Sequence, residues 1–260
     1  MILELLGAGV DVDGRPVLRD LTFEVARGER VVLLGVNGCG KTTLLRLLDG
    51  LVDPAAGVVR FAGERLDARA LSAPAFRRRF RGSVALLFQN VDAMLFNPTV
   101  ADEIAFGPRQ LGLPDPDGRV ERWAGVFDLR PLLARAPFEL SGGEKKRVAL
   151  AALLATDPEV LLLDEPTANL DPAWGGRLVD LLAERKDLTV VSATHNLTVA
   201  EELGGRAILL GRDRPGILFD GETGALLRDP MLLVRSGLAH RHRHSHGGAD
   251  HEHFHVHDVE

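Results

Sequence analysis

The chain has 260 residues, 45% of them apolar and 26% charged, with a formal net charge of −6, one cysteine and no tyrosine. At roughly 150 residues per domain this makes one to two domains with a substantial core, which excludes a disordered chain, a collagen-like repeat and a disulfide-stapled scaffold. The acidic balance argues against nucleic acid as the principal partner, because a phosphate-neutralising surface needs a basic excess.

In chain order, residues 17–25 alternate apolar and polar side chains, the pattern of a half-buried strand. After the Arg27-Gly28 turn, Val31-Val32-Leu33-Leu34 is a short apolar run suited to a strand buried on both faces, and a glycine-rich stretch then leads into a helix over 42–48. Buried strands are predicted over 84–88, 160–163, 188–192 and 207–210, with helical patterns between most of them. The fold class is therefore α/β with a largely parallel sheet. Residues 90–140 differ: Pro98, Pro108, Pro114, Pro116, Pro131 and Pro137 punctuate short helical patterns with no strand signal between them, which predicts a helical subdomain inserted into the sheet domain. Arg77-Arg78-Arg79-Phe80-Arg81 reads as a solvated helix face. The longest apolar run, residues 148–155, is far short of the roughly 18 residues of a membrane-spanning helix. Met1-Ile2-Leu3-Glu4 shows no basic leader, and with a lone thiol this fits the reducing cytoplasm. Apolar periodicity stops near Gly237, dividing the chain into a domain over 1–236 and a His-rich tail over 237–260 that reads as disordered.

Gly35-Val36-Asn37-Gly38-Cys39-Gly40-Lys41-Thr42 matches G-x-x-x-x-G-K-[ST] and lies between a buried strand and a helix, where that motif must lie. Its glycines let successive backbone N–H groups form an anion nest, to which the positive end of the helix dipole adds. Gly35, Asn37, Gly38, Cys39, Gly40 and Thr43 are expected around the phosphates, with Lys41 on the β- and γ-phosphates and the Thr42 hydroxyl on Mg2+. Val160-Leu161-Leu162-Leu163-Asp164-Glu165 is a second buried strand ending in two carboxylates. Asp164 suits Mg2+, and Glu165, aimed differently, suits a base that orients or deprotonates water. Leu140-Ser141-Gly142-Gly143-Glu144 precedes a helical run and offers a second helix N-terminus with bare N–H groups, hence a second anion site.

Together these motifs closely resemble the nucleotide-binding subunit of ATP-binding cassette (ABC) transporters, over roughly residues 1–228. The resemblance implies a P-loop NTPase fold of the ABC type, with the helical subdomain at about 90–140, and ATP with Mg2+ as its ligands. Ser141, Gly142 and Gly143 would then be the signature motif that completes the site of a second subunit in a head-to-tail dimer. Gln89 corresponds to the glutamine that contacts Mg2+ and the attacking water, Asp171 to the loop that communicates across the dimer, and His195 to the histidine on the γ-phosphate. Two departures stand out: Cys39 where serine is usual, and no aromatic residue near Val12, where the family stacks one on adenine. Among backbone donors at a helix N-terminus, the Cys39 thiol is expected to have a lowered pKa and to be reactive.

Phe88-Gln89-Asn90-Val91-Asp92-Ala93-Met94-Leu95-Phe96 and the segment after it resemble the ATPases of energy-coupling-factor importers, which take up vitamins and transition-metal ions. That resemblance implies a transmembrane coupling subunit and a substrate-binding membrane subunit as partners, a second ATPase subunit in a homodimer, and a peripheral place on the cytoplasmic face of the cell membrane. His240, His242, His244, His246, His251, His253, His255 and His257 alternate with other residues around Gly247-Gly248. Imidazole suits Ni, Co, Cu and Zn, and such a tail resembles those of some cobalt and nickel importer ATPases. The expected function is an ATPase subunit energising nickel or cobalt import. A vitamin importer of the same family and, from another class, a nucleotide-switched metallochaperone are the alternatives. Without an adenine-stacking ring, base selectivity falls by about 1 kcal/mol, so GTP is expected to compete well in a hydrolysis assay, and a GTP rate of only a few per cent of the ATP rate would refute this.

Overall fold

The computed structural model describes residues 1–212, 215–246 and 249–256, the stretch beyond residue 239 as backbone. The chain divides into two compact units, Met1–Asp67 with Val190–Glu260, and Ala68–Thr189.

The first unit opens with β1 (Leu3–Val12) and β2 (Arg15–Val25), an antiparallel hairpin. Its turn, Asp13-Gly14, has both residues at positive φ (50° and 73°), the two-residue geometry that Asp-Gly favours because its twist matches the strands. β3 (Arg30–Leu34) and α1 (Lys41–Leu48) follow, then β4 (Ala56–Phe61) and the two-residue β5 (Glu64–Arg65). One sheet of this unit runs β2-β1-β4-β5. α1 buries Leu44, Leu45, Leu47 and Leu48 and leaves Arg46 in its last turn, where a cation meets the helix dipole favourably.

The second unit holds α2 (Ala68–Ser72), α3 (Pro74–Ser83), β6 (Val84–Leu87), α4 (Val100–Leu111), α5 (Pro116–Val126), α6 (Gly142–Leu154), β7 (Val160–Asp164) and α7 (Pro172–Glu184). β6 and β7 are parallel, from Val84↔Val160 to Leu87↔Leu163. Between residues 90 and 140 lie α4, α5 and short 3-10 turns, with no strand. Pro98 and Pro116 set boundaries as expected, with Thr99 capping α4 and Asp115 capping α5 with Pro116 at its first position, whereas Pro108, expected to punctuate the helices, lies inside α4. The arginines of α3 are in part spent locally, Arg79 over Phe76 and Arg81 over Phe80, while Arg78 donates to the Leu111 carbonyl at 3.1 Å.

The chain returns to the first unit through β8 (Thr189–Thr194), α8 (Ala200–Leu203), β9 (Arg206–Leu210), β10 (Ile217–Glu222), α9 (Thr223–Leu227) and α10 (Pro230–Arg235). β3 lies between β9 and β8 and is parallel to both, with β10 antiparallel on the far side of β9. Leu238 and Ala239 are still buried, so the tail leaves the domain only at His240. There β11 (Ala239–His246) and β12 (Ala249–Val256) form a two-stranded ladder that joins neither of the other sheets. An isolated two-stranded hairpin is at best marginally stable in water, so a tail outside the packed core remains the physical reading.

β2 reaches the start of α1: a Cβ placed on Gly40 would stand 2.7 Å from Leu18 Cδ2, and Leu18 is fully buried. Leu18→Ala is expected to lower stability by about 3 kcal/mol in denaturant unfolding and to weaken nucleotide binding by loosening the turn above it. An unchanged unfolding midpoint would show that Leu18 is not the wedge beneath that turn.

Candidate active site

In the first unit, β3 ends at Leu34 and the chain turns through Gly35, Gly38 and Gly40, at φ 148°, 82° and 104°. Two of these glycines are also required by space. A Cβ on Gly35 would lie 2.5 Å from Cys39 Sγ and 2.8 Å from the Leu210 carbonyl of β9, and one on Gly40 would strike Leu18. Gly40 is the N-cap of α1, supplies no side-chain cap, and no acid occupies the first turn, so the helix end keeps its positive potential for an anion. Lys41 is buried and its Nζ donates to the Gly35 carbonyl at 2.6 Å and to Val36 at 3.4 Å, closing the loop on itself. Thr42 and Thr43 follow, half-buried in the first helical turn, while Asn37 and Gly38 are exposed at the tip. β8 pairs Thr194 with Leu34, so His195 and Gly35 continue from the same rung at the carboxyl ends of adjacent parallel strands. This unit therefore brings His195 to the phosphate loop, the edge at which open α/β sheets bind ligands.

The expectation of a reactive Cys39 is corrected. The thiol is buried, and desolvation raises its pKa above the ordinary value, outweighing the charge of Lys41 and the backbone N–H groups. The thiolate is thus disfavoured, and what Cys39 supplies is packing against Gly35. Val12 sits exposed at the end of β1 opposite Arg15.

In the second unit, the Leu87↔Leu163 rung places Gln89 and the pair Asp164 and Glu165 at the same end of β6 and β7. Asp164 is 2% exposed and Glu165 6%, while Gln89 is exposed. Glu165 adopts φ 49°, a left-handed conformation that costs a non-glycine residue about 1 kcal/mol or more and turns it away from the direction of Asp164. Ser141 caps α6 in a reciprocal box: its hydroxyl receives the Glu144 amide, and its own amide donates to the Glu144 carboxylate at 2.8 Å. The Ser141 hydroxyl, and after it the Ser141 amide, hold the Glu144 carboxyl below its ordinary pKa. The sequence reading of bare amides is thus sharpened, since this box already engages the Glu144 amide. Nothing lies within 4 Å of where a Cβ on Gly142 would stand, while one on Gly143 would be 3.2 Å from the Asn169 carbonyl. The signature turn and the loop after Glu165 therefore touch, and glycine is what lets them. Asp171 accepts from the Trp174 amide at 3.0 Å and caps α7. Gln89, Gly142, Lys146 and Asn169 line one cavity of about 550 Å³.

Lys146 is the residue that sequence reasoning missed. It reads as one more charge in Glu144-Lys145-Lys146-Arg147, yet it is 1% exposed. Its Nζ donates to the carbonyls of Glu165 at 2.5 Å and Ala168 at 2.8 Å, holding the strained turn. The signal was present in the helical period: Lys146 stands three and four residues before the buried Ala149 and Leu150, on the inner face of α6. Burial pushes its pKa down to about 8, opposed by the charges of Glu165 and Asp164. The side chains of the tail histidines lie outside the described residues, as does His257 altogether. Among the described residues no cluster of His, Cys, Asp or Glu forms a metal site.

Compared with known proteins, residues 18–168 match the family model described as ABC transporter. The chain is 44% identical over 214 residues to the nickel import ATP-binding protein NikO of Rhodobacter capsulatus, covering 80% of this chain and 84% of that one. It is 39% identical over 230 residues to the energy-coupling factor transporter ATP-binding protein EcfA of Methanothermobacter thermautotrophicus, covering 87% and 72%. Among solved structures it resembles cbiO1 from Clostridium perfringens, part of the ABC transporter complex cbiONQ, with a TM-score of 0.75 at 28% identity over 91% of this chain and 94% of that one.

Because the Lys146 pKa lies below the 10.5 of an unfolded lysine, the folded chain binds fewer protons between pH about 8 and 10.5, and this group's contribution to stability rises with pH across that window. Hydrolysis is expected to do the opposite, falling as pH rises through about 8 and the charge beside Asp164 and Glu165 is lost. Lys146→Gln, neutral throughout, should lie on the lower plateau and lack this limb. A limb that survives in Lys146→Gln belongs to another group.

Proposed function

Because the chain belongs to the ABC transporter family and is an ATPase of that family, we propose that it is the subunit whose ATP hydrolysis energises import of a transition-metal ion, nickel or cobalt, through a membrane transporter. The observation that carries the choice of cargo is the alternating tail of eight histidines, on a chain similar to a nickel import ATP-binding protein.

The backbone donors of 35–40, the α1 terminus and Lys41 receive the β- and γ-phosphates, and His195 meets the γ-phosphate. Residues of each unit suit a bound Mg2+: Asp164 is a buried carboxylate at the end of β7 and Gln89 lies two residues beyond β6, while Thr42 stands in the first turn of α1, and the ion would supply neutralising charge at the phosphates. Glu165, turned aside by its backbone conformation, orients water and takes its proton. Ser141, Gly142 and Gly143 open a helix whose dipole favours an anion, so a second copy of the chain, docked head to tail, receives its γ-phosphate there. Asp171, at the start of α7, belongs to that same dimer contact.

Contact with the transmembrane coupling subunit falls on Phe96 and Phe106, which pack edge to face at 4.9 Å and yet are 65% and 38% exposed. The buried carboxylate of Glu103 receives the amides of Phe96 and Asn97 at 3.0 and 2.8 Å and fixes that loop. Among the described residues no helix is long and apolar enough to cross a membrane, so attachment to its cytoplasmic face is assigned to the partners. Similarity to EcfA favours a second reading, a vitamin importer of the same type.

Purification from its own membranes should co-elute a coupling subunit and a substrate-binding membrane subunit, and the complex should take up radiolabelled nickel or cobalt. Glu165→Gln is expected to lower hydrolysis by about 100-fold or more and to stop uptake. Vitamin uptake by the same complex, without metal uptake, would select the second reading.

A further inference from the structure

The tail carries histidine at every second position on both sides of Gly247-Gly248, and the backbone converts that alternation into a register. β11 and β12 pair antiparallel with His240↔His255, His242↔His253 and His244↔His251 directly opposite. The rungs between them are Arg241↔Phe254, Arg243↔Glu252 and Ser245↔Asp250. Because successive strand residues belong to opposite faces, His240, His242, His244, His251, His253 and His255 share one face of the ladder in three opposed pairs, with His246 opposite Ala249 continuing that face, and the arginines, Glu252, Phe254, Ser245 and Asp250 belong to the second face. Directly opposed residues have Cβ atoms about 5 Å apart, and the next rung on the same face is about 7 Å further along. Two adjacent rungs therefore place four histidines on one face at neighbouring register positions, and neutral imidazole is among the preferred ligands of first-row metal ions.

We propose that a divalent transition-metal ion is captured across these histidine rungs and that its capture zips the tail into this hairpin register. The inference rests on the reading of the tail as a metal-binding segment and adds a geometry to it. The ladder joins neither of the domain sheets, and a lone two-stranded hairpin is marginal in water. An ion that binds the paired strands and not the open chain shifts the balance by mass action. Register is the feature on which this depends: shifting one strand by a single residue moves all its histidines to the other face.

The test uses the full chain and a transposed variant in which each pair of neighbours in 250–255 is exchanged: Asp250→His, His251→Asp, Glu252→His, His253→Glu, Phe254→His and His255→Phe. Composition, length, charge and the glycine turn are unchanged, and the β12 histidines move to the opposite face. Nickel binding is read by calorimetry and tail ordering by amide hydrogen exchange over 240–256, with nucleotide hydrolysis as the control for an intact domain. Nickel is expected to protect the tail amides of the unaltered chain, while the transposed chain loses that protection and about tenfold or more in affinity. Equal affinity and equal protection in the transposed chain would overturn the ladder and leave a flexible metal-binding tail. Binding to the unaltered chain without protection would overturn the zipping. If the unaltered chain binds nickel no better than a chain ending at Ala239, the metal-binding reading of the tail fails as well.

Discussion

β3, β6 and β7 are buried along nearly their whole length, so none of them carries a charged side chain facing the core until it stops. Polar chemistry is pushed to the strand ends, and in a parallel pair those ends lie side by side. Leu34↔Thr194 delivers the phosphate loop and His195 together in one unit, and Leu87↔Leu163 delivers Gln89 and the two carboxylates together in the other. The location of every group assigned to hydrolysis within its unit follows from that burial.

Strain at the end of β7 is the second consequence. Successive strand residues alternate faces, and the residue after Asp164 breaks that alternation. The left-handed turn at Glu165 makes the break, and the Lys146 ammonium holds it through the carbonyls of Glu165 and Ala168. A buried ammonium is costly unless paired, and here two carboxylates nearby and two carbonyl acceptors offset the burial. Gly143 completes the arrangement, since a larger residue would press on the Asn169 carbonyl of the same turn. Glu165, its turn and the glycine pair opening α6 are thus one packed cluster.

Motifs with a backbone requirement were legible in the sequence, because glycine at positive φ and an apolar run before it have few other uses. The loop 35–42, the parallel strands and the helical stretch near residues 90–140 fall in this class. β1 was not legible: Gly7 and Gly9 interrupt its alternation, and its pairing with β2 shifts register repeatedly between Leu5 and Asp11. Cys39 was misread and Lys146 missed for one reason, that local sequence reports neighbours along the chain and burial is set by neighbours across it. A helix N-terminus lowers the pKa of a thiol when the thiol is solvated, but Cys39 is packed under Gly35, so desolvation decides its sign.

The nine histidines separate by the same physics. His195 follows the buried strand β8 beside the loop 35–42, whereas the tail strands pair only with each other among the described residues. The two modules nonetheless share a root. A Cβ on Gly237 would stand 3.2 Å from Val36 Cγ1, and Val36, Arg212, Leu232, Arg235 and Gly237 line a cavity of about 890 Å³ beside the phosphate loop. The residues that lead into the tail are thus neighbours of the loop 35–42.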